Sequence, residues 1–539
     1  MKFFPKLKTI IFFIVTLILI IVLYHNDPFY LSFEKNINRR IVKYFNLNPL
    51  SAFNKSFHFF DLKAKINSII NPPENSDFVN IYIDEYTSIK MQNSLTNNTH
   101  KKWKIVKLKI NDSLYDVKLK FHGSHGNHYI NNKYSYSLKI ISKSILLYGM
   151  KEFKLIKSEE WDALNLTINN LANSEGLISS RGRMVVLKIN DEVVGEYALV
   201  EHHWSKKFLQ KKFNIDKFSV LRNLPGVGSK AALITGDWHR SEYDMEPEKI
   251  EDKSHKDPFF SVALRHYYLL SKSIKSNRID SVKHFFDIEY LAKFFAFQSL
   301  FNNFHFTNGD NLQLLFNHKS KKFYFLYRQE QGIIDLNNSN DNWRLSTFPN
   351  FNNILFYSLP FMEGSPHHKF YMKLLSDNEI RNKRDKYLFK LINKSDSIKN
   401  YMLSFFNKSD NIFSFSFDRS RREYDIKKIK QLRNFENLIK IANDYLSYSR
   451  IYVTWHKEEK YISIIADSFS QIKILNQNLF CKDTLVNGIE FDENLNWKTR
   501  KYFLKLKNDS AFKPENLEFY NNVTGNKIET EEVHINEIE

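Results

Sequence analysis

The residue types best suited to binding a metal ion flank a predicted β-hairpin in the middle of the chain. Asp310 and Asn311 stand in a polar loop, which is followed by two short apolar strands, Leu312 to Phe316 and Phe323 to Tyr327, and then by Glu330. A hairpin brings the loop before it and the residues after it side by side, so their amide and carboxylate oxygens could hold one divalent cation. The same pattern is also typical of an ordinary surface hairpin, and the sequence alone leaves that alternative open.

A second concentration of reactive side chains lies nearer the N-terminus. His122, His125 and His128 recur every three residues around Gly123 and Gly126. Imidazole rings are common zinc ligands, so the cluster could bind a metal ion. Three-residue spacing lines one face only on a helix or in a tight loop, and two glycines disfavour a helix. A metal site and a plain exposed turn both fit this segment.

The composition of the 539-residue chain restricts the class of partner more than the kind of reaction. Lysine and arginine are spread along the whole sequence and give a formal charge of +19, which favours anionic partners such as phosphates, lipid headgroups or acidic polymers. No recognisable nucleic-acid module accompanies this charge, so no nucleic acid is expected as a partner. Cys481 is the only cysteine, which excludes an intrachain disulfide and a cysteine-cluster metal site.

An apolar run near the start of the chain predicts a membrane anchor. Thr9 to Tyr24 contains neither charge nor proline, although it is slightly shorter than the ~20 residues that a spanning helix usually needs. No small-residue cleavage site follows the run, which favours an uncleaved anchor over a signal peptide. Lysines before the run favour an N-terminus inside the cell. We therefore expect a single-pass protein of the cell membrane whose body is extracytoplasmic.

Hydrophobic periodicity and turn residues predict an α+β protein. Helices are expected over Trp161 to Glu175 and Asp287 to Phe301, and a hairpin is expected about Asn190 and Asp191. Short alternating strands after Ser449 predict a small β-sandwich-like domain. The predicted regions are an anchor at 1–27, a helical juxtamembrane region at 28–77, a main domain at 78–448 and a β-rich domain at 449–539.

Four stretches between Tyr115 and Gly332 resemble the CotH kinase family, named after spore-coat protein H. They are VKLKFHGSHGN with KYSYSLKI, then SEGLISSRGRMVVLKINDEVVGEYALVEHH, then WSKKFLQKKF, and finally FFDIEYLAKFFAFQSLF, which leads into the loop of Asn311. The second stretch is the most specific. The chain is identified as a divergent member of this family, and the resemblance implies an atypical protein-kinase-like domain of two lobes.

The resemblance also implies nucleotide-binding roles. A glycine turn lets backbone N–H groups approach phosphates, as a Cβ would not. By this analogy Lys139 pairs with the phosphates and takes part in catalysis, Lys154 is its rival, and Glu175 orients the lysine through an ion pair. The residues assigned to nucleotide binding are Gly123, Ser124, Gly126, Lys154, Glu175 and Glu201.

The implied catalytic and metal-binding residues depart from the family pattern. Family members carry an acidic catalytic base five positions before the loop asparagine, where this chain has Phe306. His305 is therefore the candidate base, since imidazole accepts a proton near neutral pH. Asn311 and Glu330 would hold Mg²⁺ or Mn²⁺ with help from Asp310, and the family's metal-binding aspartate aligns with Gln329 or Glu330.

These observations favour three hypotheses. The first is a membrane-anchored CotH-like kinase that transfers phosphate from ATP, with Mg²⁺ or Mn²⁺, to a protein or acidic surface-polymer substrate. The second is a catalytically inactive relative that acts as a scaffold or binding protein in cell-surface or polysaccharide assembly. The third is a metallohydrolase built on the histidine cluster at His122 and His125.

Overall fold

The computed structural model describes the greater part of the chain after residue 76. The described residues are 77–96, 102–122, 134–158, 163–202, 204–223, 250–252, 259–276, 278–301, 313–329, 374–413, 419–475, 483–491, 497–506, 512–529 and 533–538, together with Phe12 and Thr16.

Seven strands near the N-terminal end of this part form a closed barrel. They are β1 (Phe78–Tyr82), β2 (Lys104–Ile110), β3 (Ser113–Phe121), β4 (Tyr136–Ile140), β5 (Glu152–Lys157), β6 (Gly182–Ile189) and β7 (Glu192–Glu201). The order around the barrel is β1-β2-β3-β4-β5-β7-β6, and a parallel pairing of β1 with β6 closes it. The predicted hairpin between β6 and β7 is confirmed, with Asn190 and Asp191 at φ 52° and 69°.

The barrel interior is lined by alternate residues of each strand, because successive side chains of a strand point to opposite faces. On β3 the interior positions are Val117, Leu119 and Phe121, which are all buried. Lys118 and Lys120 stand between them on the outer face. The outer face of β3 is therefore polar.

Strands β6 and β7 are apolar on both faces, and β5 has one apolar residue on its outer face, Ile156, after Glu152 and Lys154. On β7, Tyr197 and Leu199 line the barrel interior, whereas Ala198 and Val200 belong to a second core outside it. Helix α2 (Ala163–Ser174) supplies the facing apolar side chains of that second core. These three strands thus join the barrel to the helical part of the protein.

Helix α2 approaches the barrel most closely at Gly182 on β6. A Cβ at this position would lie 2.7 Å from Leu166 Cδ2 on the helix, so only glycine fits without a shift. The side chain of Asn170 accepts a hydrogen bond from Gly182 N–H at 2.8 Å and donates one to Gly182 O at 2.9 Å. The helix is therefore fixed to β6 by polar as well as apolar contacts.

The predicted hairpin in the middle of the chain is confirmed as part of a second sheet. The sheet contains β8 (Phe218–Asn223), β9 (Ile250–Asp252), β10 (Gln313–Asn317) and β11 (Lys322–Phe325), in the order β11-β10-β8-β9. The remaining helices are α1 (Glu85–Thr96), α3 (Lys206–Phe213), α4 (Phe260–Lys275), α5 (Ile279–Lys283), α6 (Ile288–Phe301), α7 (Asn378–Ile392), α8 (Ser395–Phe413) and α9 (Arg419–Ser447).

The C-terminal residues form small sheets around an apolar core of their own. One sheet has the order β18-β13-β12-β20, a second has the order β15-β14-β19, and a two-stranded ribbon pairs β16 with β17. The strands are β12 (Ser449–His456), β13 (Tyr461–Ser468), β14 (Ile472–Leu475), β15 (Asp483–Val486), β16 (Ile489–Phe491), β17 (Trp497–Thr499), β18 (Lys501–Lys505), β19 (Glu518–Asn521) and β20 (Val533–Ile538), with a 3₁₀ turn at Pro514–Asn516.

The α+β class is correct, but the prediction of a protein-kinase-like domain of two lobes is wrong. The strands between β1 and β7 form a closed barrel, because Phe78 to Ile81 pair with Val186 to Ile189 about a hundred residues away in sequence. Such a long-range pairing leaves no local sequence signal, since each strand keeps the same alternation whatever its partner.

The predicted N-terminal transmembrane helix and the predicted single-pass location in the cell membrane are also contradicted. In the ranges that the structure describes, no helix is both long enough and apolar enough to cross a bilayer. The apolar run Thr9 to Tyr24 is shorter than a usual span and, apart from Phe12 and Thr16, lies outside the described residues.

A buried ionic network joins three helices to one another. Arg384 and Asp385 on α7 are both fully buried, and Arg384 Nε lies 2.6 Å from Asp385 Oδ1. Arg384 also donates hydrogen bonds to Ser299 Oγ on α6 at 3.1 Å and to Tyr445 Oη on α9 at 3.0 Å. Arg381, one turn earlier on α7, donates to the backbone oxygen of Ile489 in the C-terminal region at 2.7 Å. Burial raises the pKa of the Asp385 carboxyl, against the lowering effect of the two arginines.

We predict that Asp385→Ala destabilises the protein by about 3–5 kcal/mol, because it leaves buried guanidinium groups without their counter-charge. Glu436→Ala is the matched control, since it breaks the exposed pair of Glu436 with Lys399 on neighbouring helices. Exposed pairs contribute about 0–1 kcal/mol. Thermal and urea unfolding of both variants measures the difference in the free energy of unfolding. Equal losses of stability in the two variants would contradict the stabilising role of the buried network.

Candidate active site

The segment that contains Gly123 and Gly126, called the glycine turn below, connects the end of β3 to the start of β4. The backbone N–H of His122, directly after β3, donates to Ser135 O at 2.8 Å, so the two ends of the turn are held together. Gly123, Ser124 and Gly126 lie outside the described residues, as do His125 and His128. The turn therefore starts and ends at one edge of the barrel.

Lys154 on β5 lies one strand away from this edge. It pairs with Ser137 on β4 and with Val200 on β7, and its side chain is half-buried. Ser137 Oγ is 3.2 Å from His122 Nδ1, at the start of the turn. Lys154 Nζ lies 6.0 Å from the centroid of the Trp204 ring. The register thus places a cation, a hydroxyl and an imidazole side by side next to the glycine turn.

Lys139 lies on the same outer face but two residues further from the turn. Its neighbours across the strands are Lys118 on β3 and Glu152 on β5. Lys139 Nζ is 2.5 Å from Glu152 Oε1, and the two side chains are 46% and 32% exposed. Lys139 is therefore part of a surface ion pair, whereas Lys154 is the lysine closer to the glycine turn.

Glu175 forms its ion pair with another part of the molecule. It follows α2, where Gly176 ends the helix with a φ of 90°. Its Oε1 lies 2.8 Å from Lys394 Nζ, between α7 and α8. The structure thus links Glu175 to the helices after residue 374, and within the described part of the chain it forms no ion pair with a lysine of the barrel.

Glu201 is buried at the end of β7, where it forms an ion pair with Arg181 Nε. The backbone N–H of Glu201 donates to Arg181 O at 2.8 Å, so the two residues lie side by side at the barrel's end. Burial raises the pKa of the Glu201 carboxyl, while Arg181, Lys212 and Lys211 lower it by a smaller amount. Lys212 Nζ donates to Asn173 O at 2.6 Å. Glu201 therefore joins the end of β7 to the segment between α2 and β6.

Gln329, one of the two residues that align with the family's metal-binding aspartate, connects the two segments that carry the predicted metal ligands. Its side chain is buried, accepts a hydrogen bond from Tyr327 Oη at 2.8 Å and donates to Phe301 O at 3.5 Å. Phe301 is the last residue before the loop of Asn311, and Gln329 is the residue before Glu330. The Gln329 side chain is thus engaged in hydrogen bonds within the protein.

Asn169 on α2 holds Gln329 in place from the other side. Its Oδ1 accepts from Gln329 N–H at 3.0 Å, and its Nδ2 donates to Gln329 O at 2.9 Å. Ser179 Oγ also donates to Asn169 Oδ1, at 2.9 Å. Asn165, Asn169 and Asn173 recur every four residues, so they share one face of a helix. This spacing is the sequence signal that could have identified Asn169, and the structure shows that all three asparagines are buried.

The remaining predicted site residues, His305, Asp310, Asn311 and Glu330, lie outside the described residues. In the part of the chain that the structure describes, no group of three or more histidine, cysteine, aspartate or glutamate side chains could hold a metal ion.

A family model for the CotH kinase protein matches residues 119–409, which is more than half of the chain. The chain belongs to the CotH kinase protein family. The matched segment of this CotH-family chain begins inside β3 and ends inside α8, so β1, β2 and the C-terminal sheets lie outside it. No curated protein matches the chain.

We predict that Arg181→Met destabilises the protein by about 1–2 kcal/mol at pH 7, a value reduced for the partial exposure of the arginine. The pKa of Glu201 in the folded protein already lies above its ordinary value of 4.5. The contribution of this carboxyl to stability therefore falls as the pH rises from 4.5 through the folded-state pKa. Removing Arg181 raises this pKa further, and the loss should shrink towards pH 5. Urea unfolding at pH 5 and pH 7 measures this difference.

The double variant Arg181→Met/Glu201→Gln is the control for this experiment. It has no carboxyl to titrate at this position, so the difference between the two pH values should disappear. An Arg181→Met loss that is the same at both pH values would show that the ion pair is not the cause.

Proposed function

We propose that this CotH-family protein transfers phosphate from ATP to a protein or an acidic surface polymer. Family membership supports the kinase-like reaction in general terms. The observation that carries the proposal is the position of Lys154, a half-buried cation one strand from the glycine turn and beside Ser137 and His122. Lysine binds phosphate as a point charge, and the backbone of a glycine turn supplies N–H donors.

The chemistry of the predicted ligands fits a magnesium or manganese ion. Asn311 and Glu330 supply the amide and carboxylate oxygens that these ions prefer. The contacts of Gln329 with Phe301 and Asn169 hold together the chain segments that lead to both ligands. When bound, the ion would neutralise charge on the transferred phosphoryl group. In this proposal the region 78–448 carries the reaction and His305 accepts or positions the proton of the acceptor hydroxyl.

The alternative is a catalytically inactive relative that binds nucleotide or a partner without transferring phosphate. The observation in its favour is that Phe306 stands where the family pattern places an acidic base, with only His305 beside it, and that a glutamate, Glu330, aligns with the family's metal-binding aspartate. An extra methylene in Glu330 displaces its carboxylate by about 1 Å, which is enough to cost about 100-fold in rate.

We predict that Lys154→Met weakens ATP binding by about 10- to 100-fold, because it removes a charged phosphate contact. Lys139→Met is the matched control: it removes the same charge from the same face, two residues further from the turn, and should change binding less than threefold. The shift in melting temperature of the full chain during titration with ATP and Mg²⁺ or Mn²⁺ measures the affinity of both variants. A larger effect at Lys139 would contradict the assignment.

We predict that Asn311→Ala or Glu330→Ala lowers metal-dependent phosphate incorporation by about 100-fold or more, because each removes a ligand. Transfer of radioactive γ-phosphate to the protein itself and to an added acidic polymer measures the reaction. ATP binding without incorporation under either metal would favour the inactive relative. Absence of ATP binding under every condition would exclude phosphate transfer from ATP and would leave only an inactive relative that binds a partner.

A further inference from the structure

The outer face of one C-terminal sheet carries a group of aromatic rings. Tyr452 and His456 on β12, Tyr461 on β13, Phe503 on β18 and His534 on β20 share this face according to the strand register, and we call this group the aromatic face. Phe503 is 63% exposed and Tyr452 is 39% exposed. Such exposure of large rings on a sheet is typical of a binding surface.

The opposite face of the same sheet is its core side. Ile451 and Val453 on β12, and Ile462 and Ile464 on β13, alternate with the aromatic positions and are fully buried. Alternation therefore fixes the aromatic face outward, away from the C-terminal core.

The rings contact one another in a row across three strands. The centroids of His456 and Tyr461 are 4.3 Å apart and nearly parallel, and those of Tyr461 and Phe503 are 5.6 Å apart and edge-on. At the other edge, Tyr452 and His534 stack at 5.0 Å. Each stacked pair covers one ring face. His456 Nε2 lies 3.2 Å from Ser463 Oγ and Tyr461 is hydrogen-bonded to Glu459, so the polar edges offered to a ligand are those of Tyr452 and His534.

Cations surround this row. Arg450, Lys501 and Lys505 occupy the same face, and Lys501 Nζ lies 5.6 Å from the Phe503 ring centroid. The acids beside this row are Asp467, whose Oδ2 accepts a hydrogen bond from Tyr448 Oη at 2.8 Å, and Glu459, whose Oε2 lies 3.9 Å from His456 Nδ1; they are fewer than the three cations. The face is therefore positively charged at neutral pH, which matches the charge of the whole chain.

We propose that the aromatic face binds an acidic polysaccharide with carboxylate-bearing sugar rings. The exposed Phe503 ring can pack against the apolar C–H groups that a sugar ring presents to the electron-rich face of an aromatic ring. The cations pair with carboxylates, and the tyrosine and histidine edges suit sugar hydroxyls. Single-stranded nucleic acid also binds faces that combine aromatic rings and cations, so oligo-dT is the competing ligand in the test.

This inference does not depend on phosphate transfer, because all five aromatic residues lie beyond the segment that the family model matches. Isothermal titration of the full chain with an oligogalacturonate of about ten sugars tests it directly. The methyl-esterified oligomer has the same backbone without charge and is the matched ligand control. The oligogalacturonate should bind, the ester should bind at least tenfold more weakly, and added salt should weaken the first but not the second.

Phe503→Ala should weaken oligogalacturonate binding by about 3- to 10-fold, and Lys501→Ala/Lys505→Ala by a similar factor. Leu485→Ala is the control, since Leu485 is 50% exposed in the neighbouring C-terminal sheet and should change nothing. Unchanged melting temperatures would show that all variants fold. No binding at millimolar oligomer, equal binding of the ester, or tighter binding of oligo-dT would each overturn the proposal.

Discussion

The structure depends on strands that are buried on both faces. β6 and β7, together with the end of β5 at Ile156, contribute one set of side chains to the barrel interior and the other set to the core around α2 and α6. Burial of apolar area on both sides stabilises the structure by roughly 25 cal/mol per Å². A strand in this position cannot shift its register, because a one-residue slip would exchange the two sets of side chains. Lys154 lies on β5 where the covered outer face meets the exposed one, so its position beside the turn is as fixed as the core itself.

The candidate site is held by hydrogen bonds between residues far apart in sequence. Gln329 bonds to Phe301 and Asn169, and Asn169 bonds to Ser179, so the end of α6, the end of the β10–β11 hairpin and helix α2 meet at one buried point. A buried amide without partners costs roughly 1–3 kcal/mol, which makes this arrangement strongly specified. The network therefore fixes Phe301, which precedes the loop of Asn311, and Gln329, which precedes Glu330.

Local signals predicted the elements well, and long-range pairing explains what they missed. The hairpin at Asn190 and Asp191 was predictable because both residues tolerate positive φ, and the α6 helix because its apolar run is long. Barrel closure was not predictable, since the pairing of β1 with β6 leaves no trace in either strand. The comparison of the two candidate lysines, Lys139 and Lys154, likewise required the register across β3, β4 and β5. Each lysine lies on a strand with alternating apolar and polar residues, and only the residues paired with it show how far it lies from the glycine turn.

The C-terminal sheets are attached firmly to the helical part of the protein. Arg381 bonds to Ile489 O, Asn521 Nδ2 donates to Leu446 O at 2.6 Å, and the rings of Tyr445 and Phe469 stack at 4.9 Å. Tyr445 belongs to the same buried network as Ser299, which lies three residues before the loop of Asn311. A polymer bound at the aromatic face would therefore sit at a fixed offset from the candidate site. If the aromatic face holds a polymer as proposed, attachment of this kind raises the polymer's concentration near the candidate site, and the benefit depends on the length of polymer between the two sites.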